Sequence, residues 1–194
     1  MNTLVMEDTE LGEMPTDVYQ KLSEDRILFV CNEITDNVAI DLCASLILKN
    51  HENSEDKITL FINSQGGNIR NVLMIYDVMQ FIQAPIQTIC IGEAMDEAAI
   101  LLIAGEPGLR KATKNARISI AQLEANFIIQ SNLTDAENIL NLNVSDNKRM
   151  MQIVAKCTNK KLKEINEHFN RRVIFTSSQA VQFGLIDKIA ESAN

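Results

Sequence analysis

The chain has 194 residues, of which 46% are hydrophobic, 5% aromatic and 23% charged, near the globular average and within the size of one domain. This balance excludes disorder, collagen and coiled coil, and the longest unbroken apolar stretch, Ala98 to Ala104, falls far short of the roughly 20 residues that span a bilayer. A net charge of −8, with no basic run longer than Lys160-Lys161 and Arg171-Arg172, makes nucleic acid a poor partner.

The first residues, MNTLVMEDTELGEM, carry acids where a secretory leader carries bases, and they lack its apolar centre. Cys31, Cys43, Cys90 and Cys157 are widely spaced, and three of them lie in apolar stretches. His51 and His168 are the two histidines of the chain. This is the pattern of reduced thiols in a cytoplasmic protein, with no metal-ligand spacing.

In chain order, an apolar run from Arg26 to Cys31 reads as a strand. Thr35 then caps a helix whose apolar face uses Val38, Leu42, Leu46 and Ile47. A polar loop from His51 to Lys57 leads to a strand, Ile58 to Asn63, then Gly66-Gly67, then a helix from about Ile69 to Ile82 that Pro85 stops. A third strand, Ile86 to Ile91, ends at Gly92 and is followed by a helix from Ala94 to Ala104, with Gly105 as its C-terminal cap. Three successive strand-helix units predict an α/β fold with a parallel sheet and right-handed crossovers.

Beyond Gly105 the pattern turns β-rich, with runs at Arg117 to Ala121 and Asn126 to Gln130. Thr134-Asp-Ala-Glu137 has capping-box spacing and opens a long helix to about Cys157. A shorter helix from Lys161 to about Phe169, a strand from Val173 to Phe175, and a helix opened by Thr176-Ser-Ser-Gln179 and closed by Gly184 complete the chain. Ile139, Leu142, Met150, Ile153 and Val154 make the long helix apolar along its length. With the Asn126 run it either packs on its own domain or projects as an arm against another subunit.

Two junctions can carry chemistry. Asn63-Ser-Gln-Gly-Gly67 lies at the C-terminal end of a parallel strand, where free backbone N–H groups can hold an anion or simply turn the chain. At the next junction, Asp96 and Glu97 open an apolar helix. They either offset its macrodipole, for roughly 0.3–1 kcal/mol each, or supply a general acid/base carboxylate beside an oxyanion hole. A serine-type hydrolase needs an imidazole beside its nucleophile. His51 in a polar loop and His168 near a helix end both read as structural.

Several segments together resemble the proteolytic subunit of the Clp protease, the ClpP family of self-compartmentalising serine peptidases. They are Tyr19-Gln-Lys-Leu, Arg26-Ile, Phe61-Ile-Asn-Ser-Gln-Gly-Gly67, Ile75-Tyr-Asp-Val-Met-Gln-Phe-Ile82, Gln87-Thr-Ile-Cys-Ile-Gly92, Leu101-Leu, Ala104-Gly105 and Ala180-Val-Gln-Phe-Gly-Leu-Ile-Asp187. They occur in the family's order over almost the whole chain. The resemblance implies the ClpP/crotonase-like fold as a single domain. An axial-loop segment would cover 1–16, a head 17–123 and 170–194, and a projecting strand-helix handle 124–169.

The resemblance also implies a site whose chemistry has changed. The family's nucleophilic serine falls on Asp96, its histidine on Ala121 and its aspartate on Arg172, with Arg171 the neighbour if the alignment slips by one. Gly66 and Gly67 match the oxyanion-hole glycines. Asp96 and Arg172 replace two triad members with opposite charges and are expected to pair. Thr59 and Phe61, with Phe81 nearby, fall on the surface that docks an AAA+ Clp ATPase. The implied protein is a catalytically inactive, ClpR-like subunit of a homo- or hetero-oligomeric ring, without cofactor or metal. The alternatives are a crotonase-type enzyme, or a residual hydrolase using Asp96 or Glu97 beside Gly66-Gly67.

Overall fold

A computed structural model describes residues 4–9, 12–122 and 132–191. It opens with an antiparallel pair, β1 (Leu4–Thr9) and β2 (Gly12–Asp17). Asp17 then caps α1 (Val18–Glu24) by accepting from the Tyr19 N–H at 2.8 Å. Lys21 on α1 ties the pair down through an ion pair to Glu7 on β1, and pairs also with Glu24 on its own helix.

The parallel sheet is present. Strands β3 (Ile27–Ile34), β4 (Ile58–Gly67) and β5 (Ile86–Ala94) lie side by side and parallel. They alternate with α2 (Asp36–Glu52), α3 (Ile69–Phe81) and α4 (Glu97–Ile103). Two short strands absent from the sequence reading, β6 (Arg110–Thr113) and β9 (Lys188–Ala190), extend the sheet in the order β3-β4-β5-β6-β9. The upper end of β5 pairs instead with β7 (Arg117–Ile120), which runs antiparallel to β8 (Val173–Thr176). The last strand is joined by an ion pair: Arg110 donates to Asp187 at 2.6 and 3.0 Å, and the same carboxylate accepts from the Gly108 and Arg110 amides.

The core lies on either side of this sheet. Every residue of α4 from Ala98 to Ile103 is buried, so the helix is apolar all round because it is enclosed all round. Gly105 does not end it in a left-handed turn, as the sequence reading expects. The cap is Ala104, in right-handed geometry. Gly105 is required by space, since a Cβ there would meet Thr88 Oγ1 at 2.5 Å. On α2 the buried face is Ala39, Leu42, Cys43, Leu46 and the stem of Lys49. Ile47, assigned to that face from the sequence, is 49% exposed, alongside Ile40 and Leu48. α2 also runs through His51, which lies in its last turn rather than in a loop. The Arg26 side chain closes that end by donating to the carbonyls of Lys49, Asn53, Asp56 and Lys57 at 2.8–3.2 Å.

The long helix α5 (Leu133–Thr158) begins two residues earlier than the Thr134 box implies. Asn132 is its N-cap, accepting from the Asp135 N–H at 2.9 Å. Its C-terminal half is buried through Met150, Met151, Ile153 and Val154, whereas Ile139, Leu140, Leu142 and Val144 are 42–60% exposed. The run Asn126 to Gln130 and Leu123 lie outside the described residues. α6 (Leu162–His168) and α7 (Ser177–Phe183) follow. The capping box of Thr176 and Gln179 and the left-handed Gly184 bound α7 as the sequence predicts.

Candidate functional site

The site forms where β4, β5 and β7 end and α4 begins. β5 stops at Ala94 and α4 starts at Glu97, leaving Asp96 on the turn between a strand and a buried helix. Two backbone bonds fasten that turn: Met95 N–H donates to the Ser64 carbonyl at 2.9 Å, and Asp96 N–H to the Ser119 carbonyl at 2.8 Å. Asp96 is held at φ 49°, ψ −107°, a conformation that costs an L-residue roughly 1–3 kcal/mol and that clusters at functional positions.

The Asp96 carboxylate has two donors. Ser119 Oγ donates to one oxygen at 2.7 Å, and Arg172 Nη2 donates to the other at 2.7 Å. The expected pairing of Asp96 with Arg172 is therefore present, with Arg172 and not Arg171 as the partner. Strand register explains it. The β7–β8 ladder ends at Ile120 opposite Val173, so one further step sets Ala121 against Arg172. Ala121 is buried, and its methyl group leaves the guanidinium free to cross to Asp96. Ser119 is a participant that sequence reading missed. Its signal was the period of two, which places Ser119 and Ala121 on the same face of β7.

Gly66 and Gly67 close the other side. Gly66 has φ 100° and Gly67 φ 159°. A Cβ on Gly66 would stand 2.5 Å from Glu97 Oε2, and one on Gly67 would stand 2.6 Å from the Ile34 carbonyl oxygen. Gly67 is thus demanded by close approach of the Ile34 main chain, and Gly66 by its left-handed φ. Gly67 N–H donates to Glu97 Oε2 at 3.5 Å. Burial pushes the Glu97 carboxyl above its ordinary value, and the charge of Asp96 adds to this. The backbone N–H groups of Glu97 and Gly67 and the charge of Arg172 act the other way.

His51 and His168 stay apart from this constellation. His51 is exposed on α2, and His168 packs among the rings of Phe169, Phe175 and Phe183, 4.8 Å from the last. Of the surface residues, Phe61 stacks on Phe29 at 5.3 Å, Phe29 meets Tyr19 edge-on, Thr59 is half-buried on β4, and Phe81 is 84% exposed at the end of α3. Among the described residues no group of three or more His, Cys, Asp or Glu is placed to hold a metal ion, and no helix is long and apolar enough to cross a membrane.

The model of the Clp protease family matches residues 10–193. The chain belongs to the Clp protease family. Its strand-helix alternation and its mostly parallel sheet are those of a ClpP-like subunit, and members of this peptidase family assemble into rings.

Proposed function

We propose that this ClpP-like chain is an architectural subunit of a Clp protease ring, ClpR-like in having lost its own acyl-transfer chemistry. The observation that carries this reading is the Arg172–Asp96–Ser119 cluster, in which Asp96 and Arg172 are the residues that the resemblance sets at the family's nucleophile and orienting acid. A carboxylate that accepts from a guanidinium on one oxygen and a hydroxyl on the other offers no hydroxyl nucleophile for acyl transfer. Ala121 has no proton to accept or return. A crotonase-type or residual hydrolytic role for Asp96 or Glu97 needs a carboxylate aimed at substrate or water, whereas Asp96 accepts from Arg172 and Ser119 and Glu97 accepts from the Gly67 amide.

The assembly reading is supported by apolar surface. Ile40, Ile47 and Leu48 on α2, and Ile139, Leu140, Leu142 and Val144 on α5, are between 42% and 60% exposed, which is costly unless another subunit covers them. In the ring, the 124–169 segment serves as the handle toward a second ring and the first 16 residues as the axial segment. The surface around Thr59, Phe61 and Phe81 faces an AAA+ Clp ATPase. Phe81 is the anchor there, since Phe61 is committed to Phe29.

The test is hydrolysis of fluorogenic peptides by the purified chain. No turnover is expected above that of buffer. Turnover that disappears in Asp96→Ala overturns the reading.

A further inference from the structure

We propose that Glu97 closes the oxyanion cradle from inside, so that this site carries a block to acyl-group binding that is separate from the loss of the triad. The inference rests on the ClpP-like reading of Gly66-Gly67 and extends it to a residue which that reading leaves without a role.

An oxyanion hole at a strand-to-helix turn uses the N–H of the residue after the nucleophile position together with one from a neighbouring loop. Here those groups are the amides of Glu97 and Gly67, and the Glu97 carboxyl oxygen accepts from the Gly67 amide at 3.5 Å. The carboxyl oxygen lies so close to Gly66 that a single methyl group there would sit 2.5 Å from it. The cradle cannot open by moving Gly67 away, because Gly67 is backed by the Ile34 main chain, with a Cβ position only 2.6–3.0 Å from it. A tethered carboxyl group therefore stands where a substrate carbonyl oxygen has to stand. Being part of the chain, it competes at high effective concentration. The charged groups that face it are Asp96 and Arg172, which are already paired with each other.

The test uses the full chain with the three triad positions rebuilt as Asp96→Ser, Ala121→His and Arg172→Asp, with and without Glu97→Ala. The readout is the rate of labelling by a fluorophosphonate, whose phosphoryl oxygen needs the same cradle. Labelling about 10²-fold faster or more with Glu97→Ala is expected, the scale of one oxyanion-hole donor. Equal labelling rates overturn the proposal. If the rebuilt chain is unlabelled in both forms, amide hydrogen exchange at Gly67 decides between them in the otherwise unchanged chain. Exchange at least about tenfold faster in Glu97→Ala supports the proposal, and unchanged exchange overturns it. Peptide turnover by the unaltered chain would instead strike the architectural reading, so the two failures are distinct.

Discussion

Arg172 and Asp96 are joined by a hydrogen bond of 2.7 Å between residues 76 positions apart, one just before β8 and the other on the turn that opens the buried helix α4. Arg172 is 53% exposed and the Asp96 side chain 15%, so solvent weakens the pair on one side only. Arg172→Ala is expected to cost no more than about 1 kcal/mol, the range of exposed pairs. At Asp96 the backbone decides. Asp96→Ala loses the two hydrogen bonds and keeps φ at 49°, whereas Asp96→Gly relieves that conformation. The glycine variant should be more stable than the alanine variant by about 1–2 kcal/mol in urea unfolding.

Arg110 and Asp187 form the more consequential ion pair. The Arg110 side chain is 9% exposed, and it also donates to the Cys157 carbonyl at 3.0 Å. Burial pushes the Asp187 carboxyl up. The hydrogen bonds and charge of Arg110, with the Gly108 amide, outweigh burial and hold it below its ordinary value. A lowered folded value means stability that is present above the ordinary carboxylate range and lost as pH falls through the folded one. Arg110→Met leaves Asp187 unpaired and should cost about 3–5 kcal/mol at neutral pH. Its deficit against the unaltered chain should shrink in acid, as read by denaturant titration at a series of pH values.

Glu97 runs in the opposite direction. Its carboxyl is raised above 4.5 chiefly by burial, so the folded chain holds that proton more tightly than the unfolded one. Stability falls as pH climbs from about 4.5 through the raised folded value. Glu97→Gln keeps the shape and removes the proton, so it should abolish this decline. Unfolding free energies of the two proteins should diverge across that window and run parallel above it. Parallel curves throughout would contradict the assignment.

The exposed apolar stretch of α5 supplies a fourth expectation. Leu142→Asp and Val144→Asp replace side chains outside the buried core, 42% and 60% exposed. Each should therefore leave the stability of the isolated subunit within about 0.5 kcal/mol. Both should reduce ring-to-ring association, visible as loss of the larger species in size-exclusion chromatography.

The strands and helices that carry long apolar runs were legible in the sequence. β3, β4 and β5 with their helices follow from runs of Ile, Leu and Val punctuated by Gly66-Gly67, Pro85 and Gly92. β6 and β9 escaped because they are short and polar, Arg110–Thr113 and Lys188–Ala190, and are specified by pairing with β5 and with each other rather than by their own pattern. Ile47 was misplaced because periodicity assigns an apolar residue inward, while Lys49 buries its stem and bonds Glu52 with its head. The Thr134 box spacing points to a start two residues late, because the cap is supplied instead by Asn132, whose side chain accepts from the Asp135 N–H.

At the site, the Asp96–Arg172 pair was legible because the resemblance sets two residues of opposite charge at positions expected to be neighbours. The Ser119 contact and the turn of Glu97 toward Gly67 were not. Both depend on how three sheet ends converge, and no local spacing encodes that. The handle strand expected at Asn126 to Gln130 lies outside the described residues and stays an expectation.

The most direct test of a ring subunit is native mass spectrometry of the chain, alone and then mixed with a catalytically active family member from the same cell. Seven copies of the 21.7 kDa chain come to about 152 kDa and fourteen to about 304 kDa, and one of these masses, or a mixed ring with the same number of subunits, is the expected result. A trimer or hexamer, or a monomer in both mixtures, would contradict it.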